Sequence, residues 1–114
     1  MERRLKVILL ESAVSFIRDL PEKVRAKIVY NYNKVECGVR DKELFKKLEG
    51  TEIWEFRTLY EGNCYRMFAF WDTEKETLVV ATHGIVKKSQ ETPKKEILRA
   101  EAIRTAYFND KKKY

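Results

Sequence analysis

Three consecutive runs in the second half of the chain, Ile53 to Tyr60, Asn63 to Asp72 and Thr77 to Ile85, are dense in aromatic and β-branched residues. Only Glu61-Gly62 and Thr73 to Glu76 separate them. Such residues favour pleated, half-buried backbone, and connections this short join neighbouring antiparallel strands most simply. This half of the chain is therefore read as a sheet, and what precedes and follows has to pack against it.

Upstream the hydrophobic period is different. Leu5 to Leu10 has the length and apolar density of a buried strand. Ser12 reads as an N-cap, and Val14, Ile17 and Leu20 follow at helical spacing until Leu20-Pro21 breaks the pattern. Pro21 suits the start of a second helix, in which Val24, Ile28, Tyr32 and Val35 form one apolar stripe ending near Gly38. Leu44, Phe45 and Leu48 give a short apolar turn before Gly50. Pro93 opens a last helix with Ile97, Ala100, Ile103 and Tyr107 on one side. The order β-α-α-β-β-β-α predicts a small α+β domain, an antiparallel-rich sheet with the helical hairpin and the other helix on one face. A chain of 114 residues has room for one modest core, so residues 1–110 are expected to form a single domain, with 111–114 a basic tail.

The formal net charge is +6, and the last 32 residues carry nine Lys and Arg against four Asp and Glu. A regional excess of that kind suits nucleic acid, a ribosome or another anionic surface, and equally a solvated basic face. Cys37 and Cys64 are spaced for neither a zinc ribbon nor a redox Cys-x-x-Cys, so both read as small apolar side chains in a reducing compartment. The N-terminus lacks the apolar stretch of a signal peptide, and Val7 to Leu10 is too short to span a bilayer. A cytoplasmic protein with no membrane partner is expected.

The cationic groups of the sheet-forming half are ordered. Arg57 closes Trp54-Glu55-Phe56-Arg57, Arg66 follows Tyr65, and Lys87-Lys88 come just after His83-Gly84. Hairpin geometry gathers such groups onto one face, and that face suits a phosphodiester. RNA cleavage without a metal uses the ribose 2′-hydroxyl as nucleophile on the adjacent phosphate. The protein then has to hold an in-line geometry, take one proton, stabilise extra phosphorane charge and protonate the 5′-oxygen. No His, Cys, Asp or Glu cluster stands at metal-ligand spacing, so a metal-dependent nuclease is the poorer fit and no cofactor is expected.

Leu48-Glu49-Gly50, Ile53 to Arg57, Tyr65-Arg66, Gly84 to Lys88 and Pro93-Lys94-Lys95-Glu96-Ile97 stand in the order and with the gaps of a known family. On these pieces the chain resembles the RelE/HigB toxin superfamily, in particular its phage-derived HigB-like branch. The likeness is close over roughly the last 65 residues and extends to the first 47 only by element order. It implies a RelE-like fold and the toxin of a type II toxin-antitoxin pair: an endoribonuclease that enters the ribosomal A site, contacts rRNA and cuts mRNA. It also implies silencing by a cognate antitoxin, usually a helix-turn-helix protein.

Arg66 matches the arginine of the family's Tyr-Arg strand. A guanidinium stays charged at any working pH, so it positions phosphate and stabilises the transition state, and it cannot be the base. The competing reading pairs it with Glu55 or Asp72 across the sheet. Lys87 and Lys88 match the pair that follows the branch's last strand. On extended chain only one of them faces the site, with Lys88 nearer the relatives' second basic catalytic position. His83, the only histidine, is poised for proton transfer near neutrality, although a lone histidine is more often an ordinary hydrogen-bonded residue. Glu55 and Arg57 share a face, with Glu55 either a base or an ion-pair partner; several relatives carry lysines in this strand, which leaves the base unassigned. Arg57, Lys94 and Lys95 are expected to bind RNA. Trp54, Phe56, Phe68, Phe70 and Trp71 have strand spacing and read as core, Trp71 being the best exception for base stacking. Tyr107 completes the helical stripe, although the resemblance also allows a tyrosine near the C-terminus in the cleft. A binding protein that keeps the fold without catalysis is the alternative reading.

Overall fold

In the computed structural model, residues 4–75, 77–87 and 91–111 are described. The elements are β1 (Lys6–Leu9), α1 (Glu11–Arg18), α2 (Glu22–Glu36), β2 (Phe45–Lys47), β3 (Trp54–Tyr60), β4 (Asn63–Trp71), β5 (Leu78–Lys87) and α3 (Lys94–Lys111). They form a five-stranded sheet in the order β1-β5-β4-β3-β2, in which β1 runs parallel to β5 and the other neighbours are antiparallel. Glu61 (φ 47°) and Gly62 (φ 80°) both take positive φ at the β3-β4 turn, which matches the right-handed twist of a two-residue hairpin.

The sheet is covered on both faces. Val7, Phe56, Met67 and Val79 pack with Ala13, Ile17, Val24, Ile28 and Val35 of the α1-α2 hairpin. Ile53, Phe68, Phe70 and Val80 pack on the other side with Ala100, Ile97, Tyr107 and Phe108 of α3. This corrects the expectation that all the helices share one face. Cys64 to Phe70 is buried without interruption, so both faces of β4 have to be taken out of water.

Two further corrections concern boundaries. Phe45–Lys47 is an edge strand rather than part of an apolar turn, because Arg57 N–H donates to Leu44 O (2.8 Å) and Leu48 N–H to Ile53 O (2.9 Å), pairing the segment with β3 at both ends. Ser12 is inside α1 and does not cap it. Leu10 donates to Ala81 O (2.9 Å) while its own carbonyl accepts from Ala13 and Val14, so the strand turns directly into the helix.

α1 docks against β5 at Gly84, where an added Cβ would lie 2.2 Å from the Phe16 ring. The outer edge of β1 is closed by Glu36, the last residue of α2. Its carbonyl accepts from Arg4 (2.7 Å) and Leu5 (3.2 Å), and its carboxylate from Val7 N–H (2.9 Å). The strand edge is thereby not offered to another chain. At the opposite end α3 is fastened by Asp72, which accepts from Tyr107 Oη (2.7 Å), from Lys111 Nζ and from the backbone of Glu74 (2.8 Å) and Lys75 (3.2 Å). Burial alone would raise this carboxyl's pKa, but those hydrogen bonds outweigh it and hold the group well below the usual carboxylate range.

Candidate active site

Strand register decides which side chains meet. Glu55 stands opposite Phe68 and Phe68 opposite His83, Arg57 opposite Arg66 and Arg66 opposite Ile85, and Cys64 opposite Lys87. Directly opposed residues share a face, so Glu55, Arg57, Arg66, His83 and Lys87 all lie on the face that α3 crosses. A bulge at Phe68/Ala69 leaves Thr82 as an extra residue in β5 and brings Thr82 Oγ1 within 2.9 Å of the His83 ring.

Arg57 and Arg66 are like charges placed directly across a strand pair, an arrangement that costs stability unless something separates them. Glu55 does so. Its Oε1 lies 3.4 Å from Arg57 Nε and its Oε2 lies 3.7 Å from Arg66 Nη1. Thr92, just before α3, donates to Glu55 Oε2 (2.9 Å) and accepts from Arg66 Nη1 (2.8 Å), so one hydroxyl is wedged between carboxylate and guanidinium. Glu55 is fully buried and Arg66 is 1% exposed, while the Arg57 side chain retains 11%. Glu55 Oε1 accepts no hydrogen bond among the described residues. Glu55 thus bridges the two guanidiniums, one through each carboxylate oxygen.

His83 sits behind this group, its ring 5.0 Å from that of Phe68. Nε2 lies 3.2 Å from Glu96 Oε1 on the first turn of α3, and Nδ1 faces the Thr82 hydroxyl. Burial, then the nearby Arg99 guanidinium, push the imidazole pKa below its ordinary value, against the opposing pull of Glu96. Near neutrality the ring is uncharged, and with Nε2 donating to Glu96, Nδ1 is the acceptor for the Thr82 hydroxyl, whose one proton is shared between the ring (2.9 Å) and Phe68 O (3.3 Å). At 1% exposure both nitrogens are engaged by protein, so His83 joins α3 to β5.

The other expected residues divide. Lys87 is half-buried and on the site face. Lys88 lies outside the described residues. Lys94 and Lys95 are exposed on the first turn of α3. Trp54, Phe56 and Trp71 group with Phe45 on the α2 side of the sheet, away from the cationic group, with Phe45 stacked on Phe56 (4.3 Å) and Trp54 (4.8 Å). Phe68 and Phe70 are core under α3, and Tyr107 packs on Phe70 (5.2 Å) with its hydroxyl on Asp72. Cys37 and Cys64 are free thiols. No described helix is long and apolar enough to cross a membrane.

Sequence reasoning missed Thr92 and Glu96, whose roles arise only because α3 returns over the sheet, and Lys46, which stands opposite Glu55 on β2. For Lys46 a signal existed: recognising Phe45–Lys47 as a strand would have placed it on that face by alternation.

Residues 15–111 match the model of the family described as phage derived protein Gp49-like. No curated protein sequence is a significant match. Among solved structures, the fold is similar to a double arginine-to-alanine mutant of E. coli toxin RelE in the free state. That match has 18% identity and a TM-score of 0.62, covering 90% of this chain and 98% of that one. It is also similar to a chain of the toxin-antitoxin complex RelBE2 from Mycobacterium tuberculosis, at 18% identity and a TM-score of 0.56, covering 78% of this chain and 98% of that one.

Proposed function

This chain belongs to the phage-derived Gp49-like family, within the RelE/HigB toxin superfamily, and from that premise we propose that it is the toxin of a type II toxin-antitoxin pair, an endoribonuclease acting on mRNA in the ribosomal A site. Its silencing partner is an antitoxin, as in the RelBE2 complex it resembles, here of the helix-turn-helix kind. The observation that carries the reading is the pair of opposed arginines sharing one buried carboxylate. Two guanidiniums facing each other across one strand pair present planar donor forks whose geometry matches the oxygens of a phosphodiester, held by charge-assisted hydrogen bonds.

In this reaction the ribose 2′-oxygen attacks the adjacent phosphorus and the bond to the 5′-oxygen breaks. The products are a 2′,3′-cyclic phosphate and a 5′-hydroxyl; the 2′-hydroxyl proton is lost and the 5′-oxygen gains one. Arg66 and Arg57 bind the scissile phosphate and stabilise the charge that grows on its oxygens. To reach Arg66 Nη1 a phosphate oxygen takes the place of the Thr92 hydroxyl, which already accepts a hydrogen bond there. Glu55 is a positioning residue: wedged between two guanidiniums and a hydroxyl, it sets their spacing. Lys87, half-buried on the same face, is available for phosphate contact or proton transfer, and Lys88 after it is assigned to a flanking phosphate or rRNA. With His83 engaged on both nitrogens, the rate rests chiefly on orientation and charge stabilisation, and the ribosome holds the message in line.

The test is mapping of mRNA 5′ ends in a translating extract after adding purified protein, with Arg66→Ala beside it. Cuts at A-site positions with 5′-hydroxyl ends, lost in a folded Arg66→Ala protein, are expected. Equal cutting by the variant would overturn the role of Arg66. One observation favours a non-catalytic binding protein instead, the near-complete burial of Arg66 beneath Thr92. Intact message with the protein still bound to ribosomes or to the regulator would establish that alternative.

A further inference from the structure

The cationic residues of the site face do not form a compact ring. Lys46 on β2 is opposite Glu55, Arg57 on β3 is opposite Arg66 on β4, and Lys87 on β5 is opposite Cys64, two residues further along β4's ladder toward the β3-β4 turn. With strands about 4.8 Å apart and about 3.4 Å per residue along each, these positions describe a diagonal of roughly 20 Å across four strands. The scissile phosphate, if it sits at the arginine pair, therefore has cationic neighbours on both sides.

Resting on the RNA-cleavage reading above, we propose that Lys46 contacts a phosphate flanking the scissile one, on the opposite side from Lys87, so that the message lies diagonally over the sheet from the β2 edge to β5. Lys46 is half-buried, and among the described residues no carboxylate forms an ion pair with it. Its cross-strand neighbour Glu55 is already held by Arg57, Arg66 and Thr92. β2 has only three residues, yet backbone hydrogen bonds tie it to β3 at both ends, which holds the Lys46 stem in register with the site. Lys47, the next residue, leaves the strand on the opposite side by alternation, and its long side chain lies 4.0 Å from Glu52 and lines a cavity with Glu101 and Arg104 of α3. The edge strand thus carries one lysine beside Glu55 of the site and one held near acidic side chains at the strand's end.

The experiment measures binding of the full chain to a fully 2′-O-methylated single-stranded RNA, which cannot be cleaved by 2′-hydroxyl attack, by fluorescence anisotropy over a series of salt concentrations. Lys46→Ala is expected to weaken binding roughly fivefold at low salt, equally for different RNA sequences, and to lower the salt slope by about 0.7. Lys47→Ala and Lys46→Arg are expected to keep the wild-type slope. Thermal melts of all variants guard against misfolding, with Lys46→Gln as a second neutral variant should Lys46→Ala fail to fold. A wild-type slope in Lys46→Ala, or an equal loss in Lys47→Ala, would overturn the role of Lys46 and leave the cleavage reading standing. Failure of the wild-type protein to bind RNA or ribosomes at low salt would instead overturn the cleavage reading and this proposal with it.

Discussion

Glu55→Gln isolates what holds the cationic site together. Glutamine keeps the shape and can still accept from the Thr92 hydroxyl, but it removes the one negative charge between Arg57 and Arg66, which stand directly opposite each other on β3 and β4. Because Glu55 is fully buried and Arg66 is 1% exposed, water cannot take over the lost neutralisation. Removing one partner from a buried ion pair costs about 3–5 kcal/mol. For a domain near 100 residues that corresponds to a fall in melting temperature of roughly 12–25 °C. The assay is thermal unfolding followed by circular dichroism, in chloride and in inorganic phosphate at matched ionic strength. Phosphate is expected to raise the melting temperature of Glu55→Gln more than that of the wild type, because the variant has lost the Glu55 negative charge beside both guanidiniums and the Arg57 side chain is still 11% exposed. A loss of less than about 2 °C would refute the argument that Glu55 separates the arginines. A large loss with equal response to phosphate and chloride would refute the claim that the opposed arginines suit a phosphate.

Gly84→Ala should be destabilised by about 1–3 kcal/mol, since the new methyl meets the Phe16 ring at 2.2 Å and α1 has to shift; the urea midpoint measures it. His83 has a folded pKa depressed below its unfolded value near 6.5, so its contribution to stability is full above that pH and is lost as the pH falls from 6.5 toward the folded pKa. Urea midpoints between pH 7.5 and 5 should fall at no more than about 1.4 kcal/mol per pH unit from this group, and His83→Gln should remove that component. Asp72→Asn should loosen the C-terminal end of α3, where Asp72 receives Tyr107 and Lys111, and faster amide exchange confined to the last turns of α3 is the expected result. Unchanged exchange there would show that apolar packing on Phe70 suffices.

Much of the fold was legible because it rests on local patterns. The three strands from Ile53 onward, the Glu61-Gly62 turn and the α2 stripe of Val24, Ile28 and Val35 follow from residue type and spacing. β2 escaped because three residues carry too little pattern to separate a strand from an apolar turn, and its identity comes from hydrogen bonds to β3. The second covered face was in principle readable, since Cys64 to Phe70 alternates poorly and is apolar almost throughout, as strands buried on both sides are.

The candidate site divides in the same way. Residue order alone puts Glu55 and Arg57 on a shared face and Arg66 and Lys87 near the ends of adjacent strands, because side-chain direction in a strand is a matter of counting by two. It could not determine that Arg57 and Arg66 are directly opposed, that one carboxylate lies between them, or that the Thr92 hydroxyl is wedged into the pair. Nor could it distinguish an imidazole open to substrate from one held by Glu96 and Thr82. Those are contacts between residues up to 37 positions apart, set by the register of the hairpins and by α3 crossing the second face, and only the packed tertiary structure decides them.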